Sequence, residues 1–357
     1  MAEMFDYLRW RGDIPFSQVR VNNVDSLIFS VLAYVHFDGF VSGEINDPIP
    51  LRDVVRDMLM LPHLKDRVRV EHDVELLKAA AATERFGAVG VTFYQSTFIP
   101  QEETQFAAVT FLLDDGTAFL AFRGTDNTLV GWKEDFNMTF QESVPAQRLA
   151  REYVEYFASL SNAPLRLGGH SKGGNLAVYA GAKSELAVQD RILGVYNHDG
   201  PGFTQQMMTD PGYLRIVPKV KTFVPQSSVI GMLLEHEEPY TVIRSKSVGL
   251  MQHDPYSWEM MGGDFIKLEE LNADSRFLDK TFKSWLAGMS VQERSAFFDA
   301  VFDLLMMEHA NRPRDVMRPQ NIRALLKGLQ MDEPRRKLIA SVLLELVEAA
   351  KQTQLNG

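Results

Sequence analysis

Apolar positions change their spacing along the chain, and the changes divide it into three parts. Residues 3–20 set Phe5, Tyr7, Leu8, Trp10 and Phe16 among charges, which suggests an edge strand or a packed arm. Residues 23–37 read as a helix that Asp25 could cap, with Leu27, Ile28, Val31, Leu32 and Val35 on one face. Tyr34 and Phe37 in that segment pack or line an acyl pocket. Shorter helices are predicted at 51–60 and 74–83. The period then shortens: 88–94, 106–112 and 117–122 read as strands, the last two joined at Asp114-Asp115-Gly116. A helix over 146–160 turns Leu149, Tyr153, Tyr156 and Phe157 inward, and further strands are predicted at 165–168, 192–196, 220–224 and 240–246. From about 278 the pattern is helical again, at 278–286, 290–307, 318–329 and 334–350, with Ser290 and Glu293 as a capping box.

Strands alternating with helices favour an α/β fold with a three-layer, mostly parallel sheet. The expected division is an N-terminal arm and helices over 1–87 packed on the core, a catalytic core over 88–260, and a helical region over 261–357. The tail packs on the main domain or on another subunit, so a homo-oligomer stays open.

Gly169-His170-Ser171-Lys172-Gly173 follows the strand at 165–168 and runs straight into a helix with Leu176, Ala177 and Ala180 on one face. This is the strand–turn–helix context that a G-x-S-x-G nucleophile elbow requires. Its flanking glycines let neighbouring backbone approach, the strained turn lifts the Ser171 hydroxyl out of the sheet, and the Lys172 amide is left at a helix start, able to donate to an oxyanion.

Composition narrows the chemistry. The 357 residues are 45% hydrophobic, carry a formal charge of −10 and include no cysteine. The charge disfavours nucleic acid, whose phosphates call for a basic face. Without cysteine there are no disulfides, no thiolate chemistry and no cysteine metal sites. No apolar run reaches 18 residues, so no transmembrane segment is expected, and the N-terminus carries no secretory signal pattern. A cytoplasmic protein fits these features. No H-E-x-x-H occurs, so no metal and no other cofactor is expected.

A serine nucleophile needs a base held in one tautomer. Among eight histidines, His253 follows the strand at 240–246 in a loop bounded by Gly249 and Pro255, and is the leading base. His236, among glutamates, is the second candidate and is expected to make surface hydrogen bonds, whereas His170 is expected to support the turn. For the acid, Asp199 ends the strand after the nucleophile helix, and Glu235 is the alternative. The oxyanion donors are the Lys172 amide and, in Arg123-Gly124-Thr125-Asp126, Thr125. Arg123 alternatively ties that loop to Asp126 or Asp135.

These residues resemble the class 3, fungal-type triacylglycerol lipases. Phe122-Arg123-Gly124-Thr125 with Trp132 and Asp135-Phe136 resembles their oxyanion-strand signature, and residues 169–173 their nucleophile motif. The whole chain is more closely similar to a bacterial branch of lipase-like proteins, through 197–202, 225–233 and 252–255. The resemblance implies an α/β-hydrolase fold with Thr125 at the oxyanion, Ser171 as nucleophile and His253 as base. It departs at the acid: fungal-type lipases place an aspartate after the strand represented by 220–224, where this chain has Gln226 and Ser227. Pancreatic-type lipases take it from the strand after the nucleophile helix, which Asp199 resembles. The expected activity is hydrolysis of a small-molecule acyl ester or lipid. The alternative is a catalytically silent hydrolase fold used for binding or scaffolding.

Overall fold

The computed structural model describes residues 2–273 except 46, 127–128 and 139–140, and beyond them only 281, 288, 290 and 292–294. The helices expected from 278 onward therefore lie outside the described residues, apart from residue 281 of the first, which is helical, and the start of the second. There Ser290 N donates to Glu293 Oε2 at 2.8 Å and Glu293 N to Ser290 Oγ at 3.2 Å, closing the capping box.

The N-terminal part holds α1 (Met4–Arg11), α2 (Asn23–Leu32), β1 (Ile49–Pro50), α3 (Leu51–Met58), α4 (Glu71–Ala81) and α5 (Glu84–Gly87). Next come β2 (Gly90–Ile99), β3 (Thr104–Leu112), β4 (Ala118–Phe122), α6 (Leu129–Asn137) and α7 (Pro145–Leu160). The series continues with β5 (Leu165–His170), α8 (Lys172–Lys183), α9 (Leu186–Arg191), β6 (Ile192–His198), α10 (Gln205–Met208) and α11 (Pro211–Ile216). It closes with β7 (Val220–Pro225), β8 (Tyr240–Ile243) and a small pair, β9 (Met260–Met261) and β10 (Asp264–Phe265).

Strands β1 to β8 form one sheet in sequence order, antiparallel from β1 to β4 and parallel from β4 to β8. The segments predicted at 106, 117, 165, 192, 220 and 240 thus share a single mixed sheet of the α/β-hydrolase type. Because the parallel strands advance in one direction, right-handed crossovers put their helices on the same face. That face buries Ala118, Leu120 and Phe122 of β4 against Tyr153 and Phe157 of α7 and Leu176 of α8. Phe119 and Ala121 point the other way, and the N-terminal helices cover them.

Helix α2 is the centre of that second layer. Residues 24–32 are all buried, so a one-faced reading of 23–37 understates it; a helix enclosed on all sides lies between layers. Its N-cap is Asn22, whose side chain accepts from Val24 N and Asp25 N. Asp25 completes the capping box by accepting from Asn22 N at 2.9 Å, and within the core it also pairs with Arg85 at 2.6 Å and accepts from Tyr7 Oη at 2.7 Å. The N-terminal segment is a helix rather than an edge strand, since Met4, Tyr7 and Leu8 share one buried face. Tyr156, expected inward, is 46% exposed.

Strand register decides where the site lies. Phe122 is level with Gly169, His170 with His198, and His198 with Phe223. The loops after β4, β5, β6 and β7 therefore emerge side by side at the carboxyl edge, where ligand sites of parallel sheets form.

Candidate functional site

Ser171 sits between β5 and α8 with φ 59° and ψ −134°, a backbone conformation that costs an L-residue energy and is characteristic of functional turns. Both flanking glycines are required by close approach. A Cβ on Gly169 would lie 2.2 Å from the Gly173 carbonyl, and one on Gly173 would lie 2.1 Å from Phe122 O. The turn is pinned by Ser171 N donating to His198 O at 2.9 Å. Lys172 is the first residue of α8, so its N–H has no acceptor within the helix.

The next parallel strand brings the candidate acid. Asp199 follows β6 with φ 54° and is fully buried, and its amide donates to Phe223 O at 2.8 Å. Its Oδ2 accepts from His253 Nδ1 at 2.6 Å, and its Oδ1 accepts from Ser228 Oγ. Thus the loop after β7, which carries Gln226 and Ser227 where fungal-type lipases carry the acid, reaches the β6 carboxylate with a hydroxyl. With Nδ1–H donated to Asp199, the free Nε2 of His253 is the basic nitrogen. The His253 side chain is 26% exposed, open enough to meet a substrate. Among the described residues no hydrogen bond joins Ser171 Oγ to His253.

Several side chains hold this arrangement, and sequence reasoning missed most of them. His170 Nε2 donates to His253 O at 2.8 Å, and Tyr34 Oη donates to His170 Nδ1 at 2.9 Å. The His170 and His253 rings lie 4.6 Å apart. Burial holds His170 well below its ordinary pKa, so it stays neutral, and since a carbonyl only accepts, its one proton belongs on Nε2. Gln252 Oε1 accepts from Ser227 N at 2.8 Å, and Gln226 exchanges hydrogen bonds with the Ser245 backbone at 2.7 and 3.0 Å. Together they fasten the His253 loop to the ends of β7 and β8. From α8, Asn175 Nδ2 donates to Pro201 O at 3.1 Å and Gly202 O at 2.9 Å, fixing the loop behind Asp199. These partners are far apart in sequence, and no local pattern marks them.

On the other side, the loop after β4 leans on the elbow: a Cβ on Gly124 would lie 2.5 Å from His170 O. Thr125 Oγ1 donates to Asp135 Oδ2. Burial raises the Asp135 acid to about 6, against the pull of the Lys172 charge. Arg123 does not tie the loop to Asp126 or Asp135; its Nη1 meets His36 Nε2 at 3.1 Å. Burial and the Arg123 charge lower His36 to about 4, so it is the neutral acceptor.

The remaining candidates lie elsewhere. His236 is not a surface group: its side chain is 5% exposed, with Nδ1 3.1 Å from Glu238 Oε1 and Nε2 2.8 Å from Gly231 O. Glu235 is exposed, and its backbone pairs with Phe203 at 2.8 and 3.0 Å. His198 lies buried beneath the site with Nε2 3.0 Å from Ser26 Oγ, and burial lowers it to about 3. His63 and His72 are exposed, and His309 lies outside the described residues. Segment 229–234 contributes buried Gly231 and Met232, with the other four partly buried. Among the described residues no group of three His, Cys, Asp or Glu side chains could hold a metal ion, and no helix is long and apolar enough to cross a membrane.

The mixed sheet, its helical layers and the strained serine turn have the architecture of the α/β-hydrolase fold. The Mbeg1-like family model matches residues 80–303, well over half of the chain. The chain belongs to the Mbeg1-like family. Among solved structures it is similar to a mutant form of MDLA from Penicillium cyclopium, at 14% identity and a TM-score of 0.38, covering 68% of this chain and 83% of that one. No curated protein matches the sequence.

Proposed function

We propose that the protein is a serine hydrolase of carboxylic esters, acyl esters or lipids, working through an acyl-enzyme, with the resemblance to fungal-type lipases as support for the substrate class. The observation that carries this reading is the 2.6 Å bond from His253 Nδ1 to buried Asp199, made beside the Ser171 elbow. Ser171 Oγ attacks the ester carbonyl and passes its proton to His253 Nε2. The amides of Lys172 and Thr125 receive the negative oxygen of the tetrahedral intermediate. The imidazolium, stabilised by Asp199, protonates the departing alkoxide to leave the acyl-enzyme. Water then attacks by the same route, releasing the acid and restoring the Ser171 hydroxyl. The lack of a hydrogen bond from Ser171 Oγ to His253 among the described residues is compatible with this chemistry, because such contacts align and tighten when substrate binds.

The same missing hydrogen bond favours a second reading, a silent hydrolase fold that binds without turning over. One experiment separates the two: labelling by a fluorophosphonate with identification of the modified residue, beside esters of increasing chain length. Modification at Ser171 with turnover supports the hydrolase. No modification and no turnover support the binding module. In either reading the proposed setting is cytoplasmic, and in the second the C-terminal helical region mediates assembly.

A further inference from the structure

We propose that the side chain of Lys172, whose amide alone enters the reaction, is a positioning residue: its ammonium anchors α6 so that Asp135 meets the Thr125 hydroxyl and fixes the oxyanion loop. This rests on the hydrolase reading.

The elbow asks only for a backbone amide at position 172, and an apolar side chain would serve there. A buried ammonium is costly unless fully paired. Lys172 is 1% exposed, and its Nζ donates to Gln105 O, Gln105 Oε1 and Glu134 Oε2, each at 2.9 Å. Glu134 is itself completely buried and also accepts from Gln105 N at 3.2 Å and Ala146 N at 2.9 Å. One ion pair therefore joins the elbow, the start of β3, the first turn of α7 and helix α6. Asp135, the next residue on α6, takes the Thr125 hydroxyl on Oδ2. Its Oδ1 is buried without a hydrogen-bond partner and lies 3.9 Å from Lys172 Nζ. The cation is thus both the anchor of α6 and the nearest positive charge to the carboxylate that must stay ionised to accept strongly. The Lys172 charge lowers the Asp135 pKa, so its removal favours the protonated acid and weakens the grip on Thr125. The penalty falls on kcat rather than KM, because the loop's donors meet full charge only in the tetrahedral state.

The test compares Lys172→Gln, Lys172→Met, Thr125→Val, the Lys172→Gln/Thr125→Val pair and Ser171→Ala on a soluble ester across pH 5 to 9, after circular dichroism. Gln keeps length and hydrogen bonding without charge, and so guards against misfolding of the Met variant. The expected result is a loss in kcat of at least about tenfold, since misplacing a reacting geometry by 1 Å can cost about 10². KM should stay within about threefold, the acid limb should move to higher pH, and the double variant should lose no more than Thr125→Val alone. Wild-type kcat in Lys172→Gln, an unmoved acid limb, or losses that multiply in full would overturn the proposal alone. Turnover retained by Ser171→Ala, or absent from the wild type on every ester, would overturn the hydrolase reading and this inference with it.

Discussion

The His170 ring donates from Nε2 to the backbone carbonyl of His253 at 2.8 Å, so the residue beside the candidate nucleophile sets the height of the candidate base. His170 can do this because Tyr34, at the end of the buried N-terminal layer, supplies a hydroxyl to its other nitrogen at 2.9 Å. The strap thus runs from the α2 layer through the elbow to the loop that carries His253.

Replacing Tyr34 with phenylalanine should leave a buried imidazole nitrogen without a donor, costing about 1–3 kcal/mol of stability. The ring gains freedom, and with it the His253 loop. Lower Tm and a several-fold fall in kcat at near-constant KM are the expected outcome, read by calorimetry and ester turnover. Unchanged values in both would show that the strap carries no function.

Gly231 makes a second remote contact with the site. A Cβ there would lie 2.3 Å from Asp199 Oδ1 and 2.8 Å from Val224 Cγ1. The Asp199 carboxylate is the softer neighbour and should be displaced from His253. Gly231→Ala should therefore cost about 10² or more in kcat, the scale set by a small misplacement of reacting groups. Gly43→Ala, whose nearest neighbour would be 3.5 Å away, is the control and should behave as wild type. Equal turnover in the two variants would reject the steric argument.

Much of this framework is readable from the chain. The central strands declare themselves as short apolar runs, and the elbow by glycines spaced around Ser171, because both signals are local. Asp199 and His253 stand out as candidates because each lies in a loop after a strand, β6 and β8. What is not readable depends on neighbours distant in sequence. The complete burial of α2 follows from crossovers that leave one sheet face open, not from its own periodicity. In 235–238 the exposed glutamates alternate with inward His236 and Glu238, and the charge hides that alternation. Ser228 holds Asp199 across 29 positions, and Tyr34 meets His170 across 136. A hydroxyl has no periodicity to announce such a partner.

Acid should weaken the fold through His198. Its folded pKa near 3 lies below the ordinary 6.5, with burial as the cause, so the unfolded chain binds more protons between those values. Its contribution is therefore full above pH 6.5 and is lost as pH falls toward 3, reaching about 2 kcal/mol of lost stability at pH 5. His198→Phe fits among Tyr196, Phe223, Trp258 and Phe265 and leaves Ser26 Oγ donating to Asn23 O at 2.7 Å. Urea unfolding at pH 7 and 5 should show the difference between the two shrinking by about 2 kcal/mol in the variant. An unchanged difference would mean that His198 protonates as readily in the fold as outside it.

The acid itself is tested by Asp199→Asn. The carboxylate accepts from His253 Nδ1–H at 2.6 Å and from Ser228 Oγ, so an amide can keep the shape of the site while reversing one hydrogen bond. If its nitrogen faces the imidazole, Nδ1 must become the acceptor, the proton moves to Nε2, and the base is lost. If its oxygen faces the imidazole, the tautomer survives but the imidazolium goes unstabilised. The comparable exchange in a well-studied serine protease, the reference case for this argument, costs about 10⁴ in turnover, and at least about 10² is expected here. Glu235→Gln should change turnover little, because its exposed charge contributes about 0–1 kcal/mol at most. Measuring kcat and unfolding for both variants separates the acids: collapse in Glu235→Gln with near-normal Asp199→Asn would move the assignment. Ordinary turnover in both, together with His253→Ala, would remove the Ser171, His253 and Asp199 relay altogether.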